Sequence, residues 1–183
     1  MPQDKAAPKD RLIKPQVMTI RELIDKDATC ISTSLENFEN SLEKLKNPPD
    51  LIITDSKVFA EVYKLKPEGS RLTSFSVLMS AFKGDSDYFI ESVKVLDKKI
   101  DNILIAEVCT HPPIEEDIGT VKIPKMLRAK YPDINIDFAR GEDFSDIEKY
   151  DLIIECGSCM FNRASVMSRV KKCKEKGLSL IHI

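Results

Sequence analysis

The sequence predicts an α/β protein with two small units, each built on a mainly parallel sheet flanked by helices. Short apolar runs such as "DLIITDS" and "NILIAEVC" alternate along the chain with segments of helical periodicity. These runs are continuously apolar, which is typical of parallel strands covered on both faces. With 183 residues, of which 42% are hydrophobic, the chain is long enough to bury two such cores.

Charge and hydropathy exclude several classes of function. The net charge is −2, and the charged residues are interspersed without the basic stripe that binds nucleic acids or anionic membranes. The apolar runs are too short to span a bilayer, and the polar start "MPQDKAAPKDR" lacks a secretory apolar segment. We therefore expect a cytoplasmic protein with no nucleic-acid or membrane partner. Five cysteines are too few for a disulfide framework, so metal binding or redox chemistry becomes the natural question.

A first unit is predicted over residues 1–84, with its boundary at a glycine. Its opening helix, "PQVMTIRELIDKD", places Val17, Ile20 and Ile24 on one face. Ser34 is a suitable N-cap for the next helix, which stops before two prolines. The remaining predicted elements are short strands over 28–33 and 50–56 and helices over 34–47, 57–65 and 73–84.

The second unit is predicted over residues 85–183 and contains four strands joined by helices. Its last helix carries Val166, Val170 and Cys173 on one face, and Gly177 is the stop signal. If the strand order is 2-1-3-4, the first and third strands are neighbours. The sheet is then Rossmann-like and binds ligands at the carboxyl ends of these strands. The predicted strands are Ile103–Val108, Ile134–Phe138, Leu152–Glu155 and Leu178–Ile183.

Three cysteines are predicted to meet at this edge of the second sheet. Cys109 follows the strand "NILIAEV", Cys156 follows "DLIIE", and Cys159 begins the next helix. Their sulfurs converge because the carboxyl ends of parallel strands lie together, and the helix N-terminus favours thiolates. Cys30 lies in the other unit and Cys173 on an apolar helical face, so both are better interpreted as small buried residues.

More than one kind of site is compatible with this pattern. "CGSC" alone, at a turn from strand to helix, suits a thioredoxin-like dithiol. Cys109, His111, Cys156 and Cys159 form a Cys3His set that suits structural zinc. Spacing alone does not separate zinc from an iron–sulfur cluster.

The segment after Cys109, "CTHPPIEEDIG", adds nitrogen and oxygen donors. A solvated acidic loop is the simplest interpretation of its carboxylates. As iron ligands they are harder donors than thiolates, so a cluster that used one of them would exchange that ligand readily and offer an open iron. These donors are His111, Glu115, Glu116 and Asp117.

The same segments carry a family resemblance that covers nearly the whole chain. "LIAEVCTHPPIEEDIGTVKIPKMLR" and "YDLIIECGSCMFNR" resemble the HydF family, the scaffold and GTPase that matures FeFe hydrogenase. The resemblance extends to "RLIKPQVMTIRELIDKDA", "PPDLIITDSKVF" and "LTSFSVLMSAFKGD". It implies that residues 1–84 are a dimerisation domain and that residues 85–183 bind a 4Fe–4S cluster.

Carried over residue by residue, the family's Cys-x-His and later His-Cys-x-x-Cys assign Cys109, Cys156 and Cys159 as cluster thiolates. His111 becomes a neighbouring candidate. The chain departs from the family at Glu155, which stands where the family has a histidine. No G-x-x-x-x-G-K-[ST] motif occurs, so we expect the family's GTPase domain to be absent here and the chain not to be an enzyme.

Two functions follow as hypotheses. The resemblance implies a homodimeric assembly scaffold that carries the di-iron precursor of the hydrogenase subcluster. It would act with FeFe hydrogenase and the other maturation proteins. The alternative is a zinc-stabilised interaction module without cluster chemistry.

The fourth iron ligand is expected to be an exchangeable side chain other than cysteine. Adjacent strand residues point to opposite faces, so Glu155 should diverge from Cys156. The loop after Cys109 contains two prolines and a glycine and is able to fold back across the site. We rank the candidates in the order Glu116, His111 and Glu115.

Overall fold

The computed structural model of the protein describes residues 1–4, 11–107, 118–140, 144–156 and 161–182, with Glu107, Ile118 and Cys156 described by their backbone alone. The chain forms two compact units, Met1–Met79 and Ser80–Ile183. In the part described, no helix is both long enough and apolar enough to cross a membrane. The chain is an α/β protein with small parallel sheets flanked by helices, as the sequence predicts.

The first unit is a set of short strands and helices that form two small parallel sheets. Its elements are β1 (Pro2–Gln3), α1 (Lys14–Asp25), β2 (Thr33–Ser34), α2 (Phe38–Glu43), β3 (Leu51–Thr54), α3 (Phe59–Leu65), β4 (Arg71–Ser74) and the start of α4 (Phe75–Lys83). Strand β1 pairs with β2, and β3 pairs with β4. The hydroxyl of Thr54 donates a 3.0 Å hydrogen bond to the carbonyl of Pro2 and so connects the two sheets.

The segment 73–84, expected to be a single helix, begins as strand. Strand β4 pairs in register with β3 along its whole length. Helix α4 starts only at Phe75, where the hydroxyl of Ser74 accepts a 3.2 Å hydrogen bond from the backbone N–H of Val77. The neighbouring strand therefore outweighs the helical periodicity of the first residues.

Helix α2 is shorter than the expected helix over 34–47. Ser34, expected as its N-cap, belongs to β2, and the expected strand over 28–33 is confined to the β2 residues. The backbone N–H of Leu35 donates a 3.2 Å hydrogen bond to the carbonyl of Gln3, which extends the pairing with β1. Asn37 takes the N-cap position instead. Pairing with the start of the chain thus delays the helix.

Helix α1 lies where the periodicity predicts it, and of its apolar stripe Val17 and Ile24 are exposed whereas Ile20 is half-buried. Val17 and Ile24 are 49% and 50% exposed, whereas Pro15, Gln16 and Thr19 are buried. Periodicity locates such a stripe without saying whether the chain's own core or a partner covers it. The unit's own buried cluster is small and consists of Phe38, Ile52, Val58 and Val62.

The second unit is a four-stranded parallel sheet with helices on both faces. Its main elements are α5 (Ser86–Val93), β5 (Asn102–Glu107), α6 (Ile123–Lys130), β6 (Asn135–Arg140), β7 (Leu152–Cys156), α7 (Arg163–Glu175) and β8 (Ser179–His182). The spatial order is β6-β5-β7-β8, which is the expected order 2-1-3-4. Leu104 and Ile153 pack with α7 on one face, and Ile105 packs with Leu127 of α6 on the other.

Helix α7 buries the face that the periodicity predicts. Val166, Val170 and Cys173 are all buried against the sheet. The side-chain oxygen of Asn162 caps the first turn by accepting a 2.9 Å hydrogen bond from a backbone N–H. Gly177, with φ of +64°, follows the last turn and supplies the left-handed conformation that ends many helices. The start and end of α7 are thus both fixed by local sequence.

Candidate metal centre

Strands β5 and β7 are parallel neighbours in the centre of the second sheet. Their last paired residues are Glu107 and Cys156. Cys109 is two residues beyond Glu107 in the sequence, and Cys159 is three residues beyond Cys156. The backbone therefore brings the two cysteine-bearing strand ends to one edge of the sheet, between the first and third strands of the unit.

Most of the predicted ligands fall outside the described residues, and they are Cys109, His111, Glu115, Glu116 and Cys159. For Cys156 the description is limited to the backbone. Within the described ranges, no group of three or more His, Cys, Asp or Glu side chains is arranged to hold a metal ion. The ligand set stays a prediction, and its support is the backbone frame of β5 and β7.

Cys30 and Cys173 are the free cysteines of the described part. Burial, with a further contribution from the negative charge of Glu155, raises the pKa of the Cys173 thiol to about 12. Such a thiol stays protonated at neutral pH and is a poor metal ligand. Cys30 is half-buried in the first unit, where its sulfur lies 3.9 Å from that of Met1.

Glu155, the residue before Cys156, is buried on the α7 side of the sheet. Its side chain has no exposed surface, and one carboxylate oxygen lies 2.8 Å from Nη1 of Arg169. Charge-assisted hydrogen bonds of this kind are stronger than neutral ones, so the carboxylate is held by the arginine. This geometry supports the low rank of Glu155 as a fourth iron ligand.

Arg169 contacts side chains from three segments of the second unit. Besides its ion pair with Glu155, its guanidinium carbon lies 4.7 Å from the ring centroid of Phe144 and 4.6 Å from that of Phe161. The Arg169 side chain is only 8% exposed. The ammonium of Lys172 donates a hydrogen bond to the carbonyl of Phe144. Helix α7 thereby holds both the segment after β6 and the segment after the C-x-x-C motif.

Sequence reasoning missed Arg169, although the signal is present. Arg169 lies between Val166 and Val170, on the face of α7 that the periodicity predicts to be buried. An arginine on such a face needs a buried partner, because an unpaired charge without water is costly. The pattern therefore predicts a buried ion pair, and a glutamate at the end of an apolar strand is a suitable partner.

His182, which sequence reasoning also missed, is a half-buried residue whose two ring nitrogens are both buried. It pairs with Glu155 across β7 and β8, and its ring stacks on that of Phe89 with 6.2 Å between the centroids. Within the described residues, neither ring nitrogen has a hydrogen-bond partner. Burial, and then the positive charge of Lys83, lowers the pKa of His182 to about 4, so the ring is neutral at pH 7.

An open depression of about 660 Å³ lies along the first turns of α7. The rings of Phe144 and Phe161 line it together with Arg169 and Lys172. Phe161 is only two residues beyond Cys159 in the sequence.

Both units match models of known domains. Residues 1–84 match the hydrogen maturase F dimerization domain. Residues 87–182 match the hydrogen maturase F tetramerization domain. The chain belongs to the hydrogen maturase F family, HydF. A comparison with curated proteins finds no match.

The two matches give this HydF chain a role in hydrogenase maturation, and they confirm the family resemblance seen in the sequence. The matched domains are those of dimerization and tetramerization, and no GTPase domain is matched. The sequence predicts that the second unit of this HydF chain binds a cluster. The family model that matches this unit is named for tetramerization. The cluster itself stays a prediction that depends on the three cysteines.

Proposed function

We propose that this HydF chain is an assembly scaffold that holds a 4Fe–4S cluster through Cys109, Cys156 and Cys159. The observation that carries the proposal is the parallel pairing of β5 with β7, which ends at Glu107 and Cys156. That pairing brings the strand ends next to the three cysteines to one edge of the sheet. Soft thiolates from such a frame suit an iron–sulfur cluster.

The scaffold receives the di-iron precursor of the hydrogenase subcluster and hands it to FeFe hydrogenase. A 4Fe–4S cluster held by three thiolates supplies one iron with an exchangeable position. The chain contributes to this iron a donor harder than thiolate from the loop after Cys109, with the candidates in the order Glu116, His111 and Glu115. A hard donor on a cluster otherwise held by thiolates yields to an incoming ligand more readily than cysteine does.

The scaffold works as a homodimer through its first unit. Exposed apolar side chains on the first unit support this, since a small unit benefits from burying them against a partner. The largest cluster of buried apolar side chains described in this unit has only four members. The larger exposed apolar residues of this unit are Leu12, Val17, Ile24, Ile31, Leu51, Tyr63, Leu65 and Val77.

Single Cys→Ala variants test the cluster thiolates. After anaerobic reconstitution with iron and sulfide, we expect Cys109→Ala, Cys156→Ala and Cys159→Ala to lose most bound iron and acid-labile sulfide, because each removes one soft ligand. Cys30→Ala and Cys173→Ala are the matched controls and should load like the wild type.

Full loading of Cys156→Ala, or loss of loading in Cys173→Ala, contradicts this assignment. A wild-type chain that binds zinc and takes up no sulfide shows instead that the site belongs to a zinc-stabilised interaction module. Iron, zinc and sulfide are therefore all quantified in each sample.

The exchangeable ligand is tested by EPR of the reduced cluster with and without imidazole. The wild-type spectrum should change on addition of imidazole, because the added base replaces the hard donor. In Glu116→Ala the spectrum should already differ before the addition. If imidazole does not change the wild-type spectrum, the cluster has no iron with an exchangeable ligand. If the Glu116→Ala spectrum equals that of the wild type, His111 becomes the preferred fourth ligand.

A further inference from the structure

The buried ion pair between Arg169 and Glu155 lies directly beside the C-x-x-C segment. Glu155 is the residue before Cys156, and its carboxylate is held 2.8 Å from Arg169. The ion pair is almost fully excluded from water, so its attraction is weakly screened. The entry of the chain into the C-x-x-C segment is therefore fixed to α7.

The exit from the same segment is held by the same arginine. Phe161 follows Cys159 by two residues, and its ring centroid lies 4.6 Å from the guanidinium carbon of Arg169. A guanidinium over an aromatic ring is attracted by the negative face of the ring, and the attraction strengthens where water is excluded. One side chain thus contacts residues on both sides of the cysteine pair.

Phe144, which precedes β7 in the sequence, is the third residue that Arg169 contacts. Its ring lies 4.7 Å from the guanidinium carbon, and its carbonyl accepts a hydrogen bond from Lys172. Phe144 leads into β7 by way of a 3₁₀ turn over Ile147–Lys149. Arg169 therefore contacts one residue before β7, one near its end and one after the C-x-x-C motif, namely Phe144, Glu155 and Phe161.

We propose that Arg169 is a positioning residue that holds Cys156 and Cys159 in the geometry needed to bind metal. The inference rests on the proposed function of the site and names the residue that orders it. Groups that orient metal ligands without touching the metal commonly change metal affinity about 10–100-fold when they are removed.

Arginine is suited to this role and lysine is not. The planar guanidinium is able to lie over aromatic rings while it donates hydrogen bonds to a carboxylate in its own plane. An ammonium group is a compact charge that pairs with Glu155 but does not stack on Phe144 and Phe161 at the same time. Arg169→Lys should therefore keep the buried charge balanced and lose the connection between the two ends of the segment.

The variants separate positioning from folding. Removing one member of a buried ion pair leaves an unpaired charge, whereas replacing both members by apolar residues of similar size is often neutral. We therefore compare the wild type with the double variant Glu155→Leu/Arg169→Met and with Arg169→Lys. The control is Lys171→Met on the same helix, where the side chain is exposed and pairs only with Glu175 among the described contacts.

Metal binding by each variant of the chain is measured in two ways. Titration of the metal-free chain with Co²⁺, followed through thiolate-to-cobalt absorption, gives a metal affinity that does not depend on cluster assembly. Release of iron to a chelator, with the EPR spectrum of the reduced cluster, reports on the reconstituted form. Thermal unfolding of each metal-free protein shows whether the fold is retained.

At retained thermal stability, the double variant should bind Co²⁺ about 10–100-fold more weakly and lose iron faster. Arg169→Lys should fall between it and the wild type, and Lys171→Met should match the wild type. Wild-type Co²⁺ affinity and iron release in both Arg169 variants overturn the proposal. If the double variant unfolds, Arg169→Lys alone decides between the two outcomes.

The same data separate failure of the proposed scaffold function from failure of the proposal for Arg169. A wild type that binds Co²⁺ but assembles no iron–sulfur cluster shows that the scaffold function is wrong, and the Co²⁺ affinities still test Arg169. A wild type that binds neither Co²⁺ nor iron overturns both proposals.

Discussion

His182 and Glu155 are paired residues on β8 and β7. The carboxylate of Glu155 and both ring nitrogens of His182 are shielded from water. The glutamate is compensated by Arg169. The histidine remains neutral because burial lowers its pKa to about 4. The cost of burying these two side chains is thus reduced in two ways. Glu155 is paired with a positive charge, and the His182 ring is unprotonated at neutral pH.

The low pKa of His182 has a consequence for stability in acid. The unfolded chain takes up the proton near pH 6.5 and the folded chain only near pH 4. The unfolded state therefore binds more protons between these values, so stability is full above pH 6.5 and is lost as the pH falls toward 4. The loss is at most roughly 3 kcal/mol.

We expect His182→Leu to remove this part of the acid dependence. Urea unfolding of the metal-free chain between pH 7 and pH 4 measures it, with Ser179→Ala on the same strand as a control that keeps the wild-type dependence. Equal slopes for His182→Leu and the wild type would show that the ring is able to take up a proton in the folded state.

Asn162 caps the start of α7, and Gly177 follows its last turn. A single substitution at Gly177 tests how much the end of the helix depends on glycine. The Gly177 φ of +64° is strained for any residue with a side chain, although a methyl group added at this Cα would meet no atom within 4 Å. Gly177→Ala should therefore lower the free energy of unfolding by about 1 kcal/mol through backbone strain alone.

Gly69 is the matched control for that change. It also has open space around it, and its φ is not in the left-handed region. Gly69→Ala should be neutral or stabilise by about 0.4–1 kcal/mol, because alanine restricts the unfolded chain. Urea unfolding compares the two variants. A Gly177→Ala variant as stable as Gly69→Ala would show that the end of α7 relaxes without cost.

At the scale of elements, the second unit was predictable and the first only in part. Long apolar runs identify β5 and β7, and Val166, Val170 and Cys173 identify the buried face of α7. Strand β4 was not predicted, because its last two residues, Thr73 and Ser74, start a helical pattern and become strand only through pairing with β3. At the site, the meeting of the three cysteines stays a prediction from their spacing. The ion pair of Arg169 with Glu155 was identified only from the structure, although the helical pattern of α7 contains a signal for it.

At the scale of the whole molecule, the exposed stripe of α1 indicates assembly. Val17 and Ile24 are half exposed on a unit that matches a dimerization domain. We expect Val17→Asp/Ile24→Asp to reduce the mass of the assembly in solution by about half, since charges in an apolar interface lose water without a partner. Sedimentation velocity of the full chain measures this.

Glu22→Gln is the control for the assembly, because Glu22 lies on the same helix with its side chain exposed in a surface ion pair with Lys26. It should sediment like the wild type. An unchanged mass for the double aspartate variant, with its fold retained by circular dichroism, would place the interface elsewhere on the first unit.

The strand order of the second sheet also governs how the chain behaves while it is being synthesised. Strand β5 emerges first, yet its two neighbours, β6 and β7, emerge only later. Until then the apolar run Ile103–Ala106 has no strand on either side, and such segments are prone to aggregate. Pairing between strands distant in sequence is also slow. Slow synthesis at low temperature should therefore favour recovery of the folded protein, since fewer nascent chains with an open β5 are present together.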